Sequence, residues 1–493
     1  MRWEKSRRQH GPGSRIRRRI LPEEKVDEER RRGAIEVGEL DKDEERRDTH
    51  LYVEKLRCTT ATNNNKQLEC LGLTTLALRL LNELAERSAS SNLVFSPLSI
   101  YSALALTAAG ARGATLQELL VVLGARSRDE LAEIVLRFAK QILADRSPTG
   151  GPHVLFACGV WHDETRKLNL AFRDAAAQSY KAETRAVDFR KEPGEAVKLI
   201  NAWAASATNN LIEKILDGPV PNKTDIIVAN AIYFKGMWDV PFRKECTEDD
   251  KFHRLDGSTF DVPFMRSGAK QYIACHQGFK VLKLRYKKGS GRYSSWSSFS
   301  MCVFLPDARD GLTGLISMMA SSSADFLREH LPASLVSVRK FKLPRFKLSF
   351  SGDDMPPVLR RLGLQAAFDE KNSDLRDMVE EDGTGRPLAL GKIIHKAVIE
   401  VNEEGTEAAA VTACMKVMRS APKLPVDFVA DHPFVFFVIH EKSGAIVFAG
   451  TVLEPTPSMP GKKILHGGRV QGDENANRSL MSSLRHYLGS LFG

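Results

Sequence analysis

The sequence lacks the long apolar run that a membrane-spanning helix requires. Such a span needs roughly 18 or more apolar residues, and the best candidate, which follows His432, is interrupted at residues 441–444 by charged and turn-forming residues. The N-terminal region is charged and contains no apolar core of the kind found in secretory signals. We therefore expect no membrane span and a location in the cytoplasm, or shared between nucleus and cytoplasm, with release from the cell still open.

The cysteines show no spacing typical of a metal site or of a disulfide framework. Their number is odd, and no two of them form a C-x-x-C pair. They are Cys58, Cys70, Cys158, Cys246, Cys275, Cys302 and Cys414. Scattered cysteines of this kind favour a reducing compartment, and we expect no metal ion and no other cofactor.

The motifs of common catalytic and nucleotide-binding sites are also missing. There is no G-x-S-x-G nucleophile elbow, no P-loop, no H-E-x-x-H zinc motif and no glycine fingerprint after a strand. His395 lies in an apolar strand pattern and His432 precedes a proline. A lone histidine in a strand is more often a buried hydrogen-bonding group than a catalytic base. The sequence therefore predicts a protein that is not an enzyme.

Charge divides the chain of 493 residues into an ordinary globular middle and two polar ends. Residues 1–69 are rich in Arg, Glu, Lys and Asp, and segments of low hydrophobicity cannot offset the entropy lost on folding. We predict a disordered extension at 1–69, a folded domain at 70–456 and a tail at 457–493. The basic cluster at 17–19 leaves nucleic-acid binding open, but a solvated tail is the simpler interpretation, and no clear nucleic-acid partner is predicted.

Apolar periodicity predicts helices and strands throughout the middle of the chain. The helix signals are a start near Thr74, a Ser96-Pro97 cap, a capping box at Thr115 and Glu118, and helical spacing at 196–215 and 356–364. The helix at 196–215 is expected to turn Leu199, Trp203 and Ile212 inward. The predicted strands are 153–163, the apolar run within 224–242, 299–307, 340–350 and 451–455, with a hairpin on Asp256-Gly257.

A long connection separates two strongly apolar strand patterns, at 393–401 and 434–439. Long irregular connections are uncommon inside compact domains and tend to be functional. In the first half of this connection, small residues occupy alternate positions, which share one face of an extended strand. These residues are Thr406, Ala408, Ala410 and Thr412. The segment therefore has the pattern of a strand that could enter a sheet, and a short alanine-rich helix is the alternative.

Four stretches resemble signature sequences of the serpins and occur in the order of that family. They are FSPLSI at 95–100, NAIYFKGMW at 230–238, EVNEEGTEAAAVTA at 400–413 and FVADHPFVFF at 428–437. The resemblance covers roughly residues 70–456, and the last stretch looks most like the plant branch. It implies a mixed α/β (α+β) fold of three β-sheets and roughly eight or nine helices, with an exposed reactive-centre loop, held in a metastable state.

The resemblance also implies roles for individual residues. The hinge of the loop would consist of Glu403, Glu404, Gly405, Thr406, Glu407, Ala408, Ala409 and Ala410. The gate through which the loop inserts would consist of Ser96, Pro97, Ser99, Asn230, Trp238 and His395. Counting 14 residues on from Gly405 (419 − 405 = 14) gives Arg419 and Ser420 as the two residues of the reactive bond.

The activity implied by the resemblance is irreversible suicide inhibition of Arg-specific proteases. A trypsin-like serine protease, or a metacaspase-like cysteine protease, would cut after Arg419, and the freed loop would insert into the main sheet with the protease attached as an acyl-enzyme. The expected partner is thus a target protease, bound covalently by a monomeric chain. The alternative is a non-inhibitory serpin with a binding, storage or chaperone-like role. Two residues depart from the family pattern and bear on that alternative. Val411 falls on the outward-facing set and is discounted, and Glu454 affects only the end of the last strand.

Overall fold

The computed structural model describes residues 70–291, 298–352, 355–381, 386–405 and 424–455. The extension at 1–69, the tail from 457, hinge residues 406–410 and the bond between Arg419 and Ser420 lie outside the described residues. The helices of the described part are α1 (residues 70–87), α2 (Pro97–Ala109), α3 (Gly113–Leu123), α4 (Arg128–Gln141), α5 (Leu170–Gln178), α6 (Pro193–Ala207), α7 (Leu312–Ser321), α8 (Phe326–His330) and α9 (Met355–Arg361).

The strands of the described part follow the predicted pattern in most places. They are β1 (Leu93–Phe95), β2 (His153–Asp163), β3 (Glu183–Val187), β4 (Ile226–Lys235), β5 (Glu248–His253), β6 (Thr259–Arg266), β7 (Gln271–His276), β8 (Phe279–Arg285), β9 (Phe299–Pro306), β10 (Leu335–Val336), β11 (Val338–Pro344), β12 (Phe346–Gly352), β13 (Leu390–Val401), β14 (Val426–Val429), β15 (Phe434–His440) and β16 (Ile446–Val452).

These strands form three sheets. The five-stranded sheet has the order β12-β13-β4-β2-β3, the seven-stranded sheet has the order β1-β16-β15-β9-β8-β7-β10, and the four-stranded sheet has the order β14-β11-β6-β5. Together with the nine helices of the described ranges, they confirm the mixed α/β fold class that the resemblance implied. Within those ranges, no helix combines the length and the apolarity that crossing a bilayer demands.

Helix α2 joins the five-stranded sheet to the seven-stranded sheet. It packs against β4 and β13 of the first and against β16 of the second, and its residues from Pro97 to Ala108 are all buried. A helix that is apolar on every side belongs in a core. Ser96 caps it as predicted: the Ser96 Oγ accepts a hydrogen bond from the Ser99 N–H (3.2 Å), and Pro97 occupies the first turn.

The predicted capping box at Thr115 and Glu118 is wrong. Helix α3 begins at Gly113, and its N-cap residue makes no side-chain cap. Both side chains instead accept hydrogen bonds from distant backbone. Thr115 Oγ1 accepts from the Asp374 N–H (3.0 Å), and Glu118 Oε2 accepts from the N–H groups of residues 365 and 366 (2.8 Å each). The two polar groups therefore tie the 365–374 segment to α3.

The predicted helix at 196–215 ends early, at Ala207. The following residues Asn209 and Asn210 have φ angles of 50° and 60°, in the left-handed region that stops a helix. Trp203 is buried as expected, but Leu199 is 41% exposed, so that part of the prediction is wrong. Ile212 is buried from the irregular segment beyond the helix rather than from the helix.

Two strand predictions also need correction. The alternating run at 340–350 is two strands that end and begin on either side of Arg345, and β11 belongs to the four-stranded sheet whereas β12 belongs to the five-stranded sheet. The last strand lies earlier than predicted, because β16 begins at Ile446 and ends at Val452. Strand β2 has the predicted bounds, and the Asp256-Gly257 hairpin joins β5 and β6 with Gly257 at φ 82°.

Candidate functional site

Strands β4 and β13 are parallel neighbours at the centre of the five-stranded sheet. Their paired residues run from Ile226 and Leu390 at one end to Tyr233 and Val398 at the other, and we call this boundary the seam. Parallel pairing is slightly less stable per residue than antiparallel pairing. A chain that turned back at the end of β13 and ran between the two strands would be antiparallel to both. Insertion of a strand at the seam would thus replace one parallel pairing with two antiparallel ones.

The chain does turn back directly after β13. Asn402 and Gly405 exchange backbone hydrogen bonds, with the Asn402 N–H donating to the Gly405 carbonyl (3.0 Å) and the Gly405 N–H donating to the Asn402 carbonyl (3.3 Å). Gly405 has φ 111°, and a Cβ there would lie 2.3 Å from the carbonyl oxygen of Gly236. Only glycine fits this turn without strain.

The turn is fixed to the segment that follows β4. The Trp238 N–H donates to the Glu404 carbonyl (3.0 Å), the Phe242 N–H donates to the Glu403 carbonyl (2.7 Å), and the Trp238 Nε1–H donates to the Asn402 carbonyl (2.9 Å). Trp238 also stacks on Tyr286, with ring centroids 4.5 Å apart. Gly405 consequently forms antiparallel bridges on both sides, to Asn402 next to β13 and to Met237 next to β4.

The two hinge glutamates pair with two different cations. Glu403 is 4% exposed; its Oε1 accepts a hydrogen bond from the Thr247 hydroxyl (2.7 Å) and pairs with the Arg345 guanidinium (3.5 Å). Glu404 pairs with the Lys244 ammonium (2.5 Å), and this hydrogen bond raises the pKa of Lys244 above its ordinary value. The charges of the hinge are therefore compensated, and the buried Glu403 is satisfied.

Halfway along the seam, a buried polar cluster links β13, β4 and the start of α2. The Ser96 N–H donates to His395 Nε2 (2.9 Å), and Asn230 Oδ1 lies 2.6 Å from both His395 Nδ1 and Ser99 Oγ. Because Nε2 accepts, Nδ1 carries the proton and donates to Asn230. His395 and Asn230 face each other directly in the register of the seam, so their hydrogen bond crosses it.

Burial keeps this cluster uncharged. His395 is completely buried, and burial lowers its pKa to about 3. Cys158, opposite Asn230 on β2, is also buried, and burial raises the pKa of its thiol to about 12. No charge is therefore present here near neutral pH. The cluster has the properties of a latch that holds β4 and β13 together rather than those of a catalytic site.

The structure separates the six predicted gate residues into two groups. Those at the start of α2, together with Asn230 and His395, meet at the middle of the seam, whereas Trp238 lies at the hinge. Of the predicted hinge, Glu403, Glu404 and Gly405 are described and form the turn. Four further residues hold this turn and were not predicted from the sequence. They are Asn402, Lys244, Thr247 and Arg345.

Of those four residues, only Asn402 carried a local signal. Its side-chain Oδ1 accepts a hydrogen bond from the Glu404 N–H (3.1 Å), which is the short-range bond that makes Asn common in turns. The partners of the two glutamates lie far away in the sequence, and no spacing rule could have found them.

Comparisons with known proteins agree with this geometry. A family model described as Serpin (serine protease inhibitor) matches residues 71–455. Serpin-Z2A of Oryza sativa subsp. japonica is 51% identical to this chain over 418 residues, which cover 79% of this chain and 98% of the relative. Serpin-Z1C of Triticum aestivum is 41% identical over 386 residues, which cover 78% of this chain and 95% of the relative.

Among solved structures, the native stressed conformation of Arabidopsis AtSerpin1 matches with a TM-score of 0.72 and 38% identity, over 79% of this chain and 98% of that structure. The family model, the plant relatives and the fold thus agree over nearly the whole length of each relative. This chain therefore belongs to the serpin family of serine protease inhibitors, on its plant branch, and so to a family of inhibitors rather than of catalysts.

Proposed function

We propose that this chain is an irreversible suicide-substrate inhibitor of Arg-specific proteases, which traps the acyl-enzyme by inserting its cleaved loop into the seam. The observation that carries the proposal is the pair of antiparallel bridges made by Gly405, one on the β13 side and one on the β4 side. Gly405 thus already occupies the position of the first residue of an inserted strand. The sheet is prepared to accept the residues that follow it.

The two bridges define a register for insertion, and they agree with each other. In antiparallel pairing, the residue numbers of any two paired residues add up to the same sum. That sum is 807 on the β13 side (402 + 405) and 642 on the β4 side (237 + 405). Residue 412 would then lie between residue 395 (807 − 412) and residue 230 (642 − 412). Residues 395 and 230 are themselves partners across the seam. A single strand can therefore pair with both neighbours at once.

The same register supports the small-residue pattern of the loop. Thr406, Ala408, Ala410 and Thr412 would share a face with residues 401, 399, 397 and 395, which are at most 1% exposed. Glu407 would share a face with Glu400, which is half-buried and paired with Lys347 (3.1 Å). Small side chains would enter the core, and the charged side chain would stay near solvent.

The proposed mechanism is a race between insertion and deacylation. The serine of a trypsin-like protease attacks the Arg419 carbonyl carbon, the peptide bond to Ser420 breaks, and the Ser420 nitrogen leaves as an amine. The protease is then held by an ester to Arg419, and insertion carries it along the sheet. Misplacement of catalytic groups by about 1 Å costs on the order of a hundredfold in rate, so a protease distorted in this way no longer hydrolyses the ester. The native state persists because a barrier opposes insertion, which makes its stability kinetic.

Paired charge substitutions in the loop test the proposal. Thr406→Arg puts an unpaired charge on the core-facing side, where burial costs several kcal/mol, whereas Glu407→Arg puts the same charge on the other face. We expect the parent and Glu407→Arg to form a covalent complex with trypsin on a denaturing gel and to gain heat resistance on cleavage. Thr406→Arg should be cleaved as a substrate and release active trypsin.

The controls separate this function from a non-inhibitory one. All three proteins should show the same unfolding transition before cleavage, because neither substitution changes a residue of the three described sheets. If the parent is cleaved without forming a complex, the chain is a serpin with a binding or storage role. If both variants trap trypsin as well as the parent does, insertion at the seam is not the mechanism.

A further inference from the structure

A second group of polar contacts lies at the opposite end of the seam from the hinge. Here the ends of β2, β3, β4 and β13 come together, and two arginines flank two aspartates from strand to strand. Arg190, just after β3, donates to Asp163 at the end of β2 (3.0 Å) and to Asp225 before β4 (2.8 Å). Arg386, before β13, donates to the same Asp225 oxygen (2.6 Å).

The two carboxylates of this group are largely buried, whereas the two arginines are partly exposed. The Asp163 side chain is 1% exposed and the Asp225 side chain is 10% exposed, while Arg190 and Arg386 are 32% and 47% exposed. Burial alone would raise the pKa of Asp163, but hydrogen bonds from Thr165 and Arg190 outweigh it and hold that pKa below its ordinary value. The Asp163 carboxylate is therefore charged, and Arg190 compensates it.

Only one of these ion pairs crosses the seam. Arg190 and Asp225 both lie on the side of β2, β3 and β4, so their hydrogen bond stays within one block of the sheet. Arg386 precedes β13 on the other side, so its bond to Asp225 closes the far end of the seam. The two arginines bind the same oxygen, and they differ in whether strand insertion would pull them away from it.

In the register of insertion, the residues just before the reactive bond would lie next to this ion pair. Residue 417 would lie opposite Leu390 (807 − 417 = 390) and opposite Asp225 (642 − 417 = 225), within the one-residue shift that the register shows near Leu390. Neighbouring strands are about 4.8 Å apart, so an inserted strand would separate β4 from β13 by about twice that distance. If Arg386 and Asp225 move with their strands, a separation of that size breaks the 2.6 Å hydrogen bond between them.

We propose that Arg386 and Asp225 form a clasp across the far end of the seam, and that opening this clasp limits the last stage of loop insertion. The proposal rests on the proposed inhibitory function, because the clasp matters only if the loop enters the seam. In this proposal, the ion pair between Arg386 and Asp225 lengthens the time before insertion is complete. A longer time gives deacylation more chance to release the protease. Arg386 is a positioning residue, since it touches neither the protease nor the reactive bond.

Arg386→Gln is the variant that tests the clasp, and Arg190→Gln is its matched control. Arg386→Gln leaves Asp225 paired with Arg190, and it keeps the backbone carbonyl of residue 386, which accepts from Arg166 (3.1 Å). Arg190→Gln removes a hydrogen bond to the same oxygen but leaves the seam closed. Arg386→Lys keeps the charge and a donor, so it should restore most of the parental behaviour.

The assay uses two synthetic peptides with the sequences of residues 406–413 and 406–419, each with a fluorescent label, added to the full-length protein. The short peptide would end opposite residue 394 (807 − 413), and the long peptide would end opposite residue 388 (807 − 419), beyond Leu390. We expect Arg386→Gln to bind the long peptide faster than the parent by about fivefold, which is what a partly exposed ion pair can supply. Binding of the short peptide should be unchanged.

The possible outcomes either support or overturn the clasp. The clasp is overturned if Arg386→Gln speeds the binding of both peptides equally, or if Arg190→Gln speeds the binding of the long peptide as much as Arg386→Gln does. It is also overturned if Arg386→Gln does not speed binding at all, or if the parent binds neither peptide. The inhibitory function is judged separately, from complexes of the same proteins with trypsin. A parent that does not trap trypsin but shows the length-dependent effect of Arg386→Gln would contradict the proposed function and leave the clasp standing.

Discussion

Mild acid should weaken the native fold through His395, and replacing this residue by glutamine should remove much of that weakness. His395 is buried with a pKa near 3, against an ordinary value of 6.5, so the unfolded chain binds a proton at pH 4.5 that the folded chain does not. The stability that depends on the neutral ring is fully present above about pH 6.5 and is lost as the pH falls towards 3. Between pH 6.5 and pH 4.5 the loss from this one group is about 2 kcal/mol.

The measurement is the urea dependence of the first unfolding transition, followed by intrinsic fluorescence at both pH values. His395→Gln keeps an acceptor for the Ser96 N–H and a donor for Asn230, and it does not titrate. Any strain in its hydrogen bonds, at about 1 kcal/mol each, is the same at both pH values. The variant should therefore lose about 2 kcal/mol less than the parent on acidification.

The comparison between the two proteins isolates His395 from the other buried histidines of the described residues, which are His162, His432 and His440. Burial also lowers the pKa of His162, near the end of β2, and this residue is present in both proteins, so its contribution cancels. If the parent and His395→Gln lose equal stability between pH 6.5 and pH 4.5, His395 is not the buried neutral group described above, and the argument for an uncharged cluster at the seam fails.

Two further predictions concern the loop and its hinge. Arg419→Asp should abolish inhibition of trypsin without changing the unfolding transition, because the acidic side chain meets the carboxylate of a trypsin-like pocket; unchanged inhibition, with Ser420→Ala as control, would move the reactive bond elsewhere. Gly405→Ala should cost about 1–3 kcal/mol in a urea titration, because φ is 111° and a Cβ would meet the Gly236 carbonyl at 2.3 Å. Gly444→Ala, with φ 75° in open space, should cost less, and equal losses would contradict the steric argument.

Local patterns were sufficient to predict the strands that form the seam and the cap that precedes α2. The strand signal of β13 is its apolar β-branched run, and the cap signal is the Ser96-Pro97 pair. Each of these signals depends only on residues that are close together in the sequence. The prediction for 340–350 failed for a related reason. Alternation of apolar residues reports only that successive side chains point to opposite faces. It continues through Arg345 although the chain passes there from one sheet to another.

Long-range polar contacts could not be predicted in the same way. Thr115 and Glu118 have the spacing of a capping box, and their oxygens are used by backbone groups about 250 residues away. Asp225 and Arg386 are separated by 161 residues and stand in segments that read as ordinary charged loops. Their pairing depends on which strands become neighbours, and that is decided by the packing of the whole sheet.

The polar contacts across the seam lie at three levels, and their order constrains how insertion can proceed. Because the loop is tethered at Gly405, it must meet the hinge first, then the cluster of His395 and Asn230, and last the clasp.

On the register derived from Gly405, Thr412 would enter between His395 and Asn230. The buried Asn230 Nδ2 has no partner among the described residues, and the Thr412 hydroxyl could accept from it. Hydrogen bonds at the middle level can thus form again around the new strand. At the far end, an inserted strand separates Arg386 from Asp225, and it brings no carboxylate that could replace Asp225 as the partner of Arg386. The far end is therefore where insertion should be slowest.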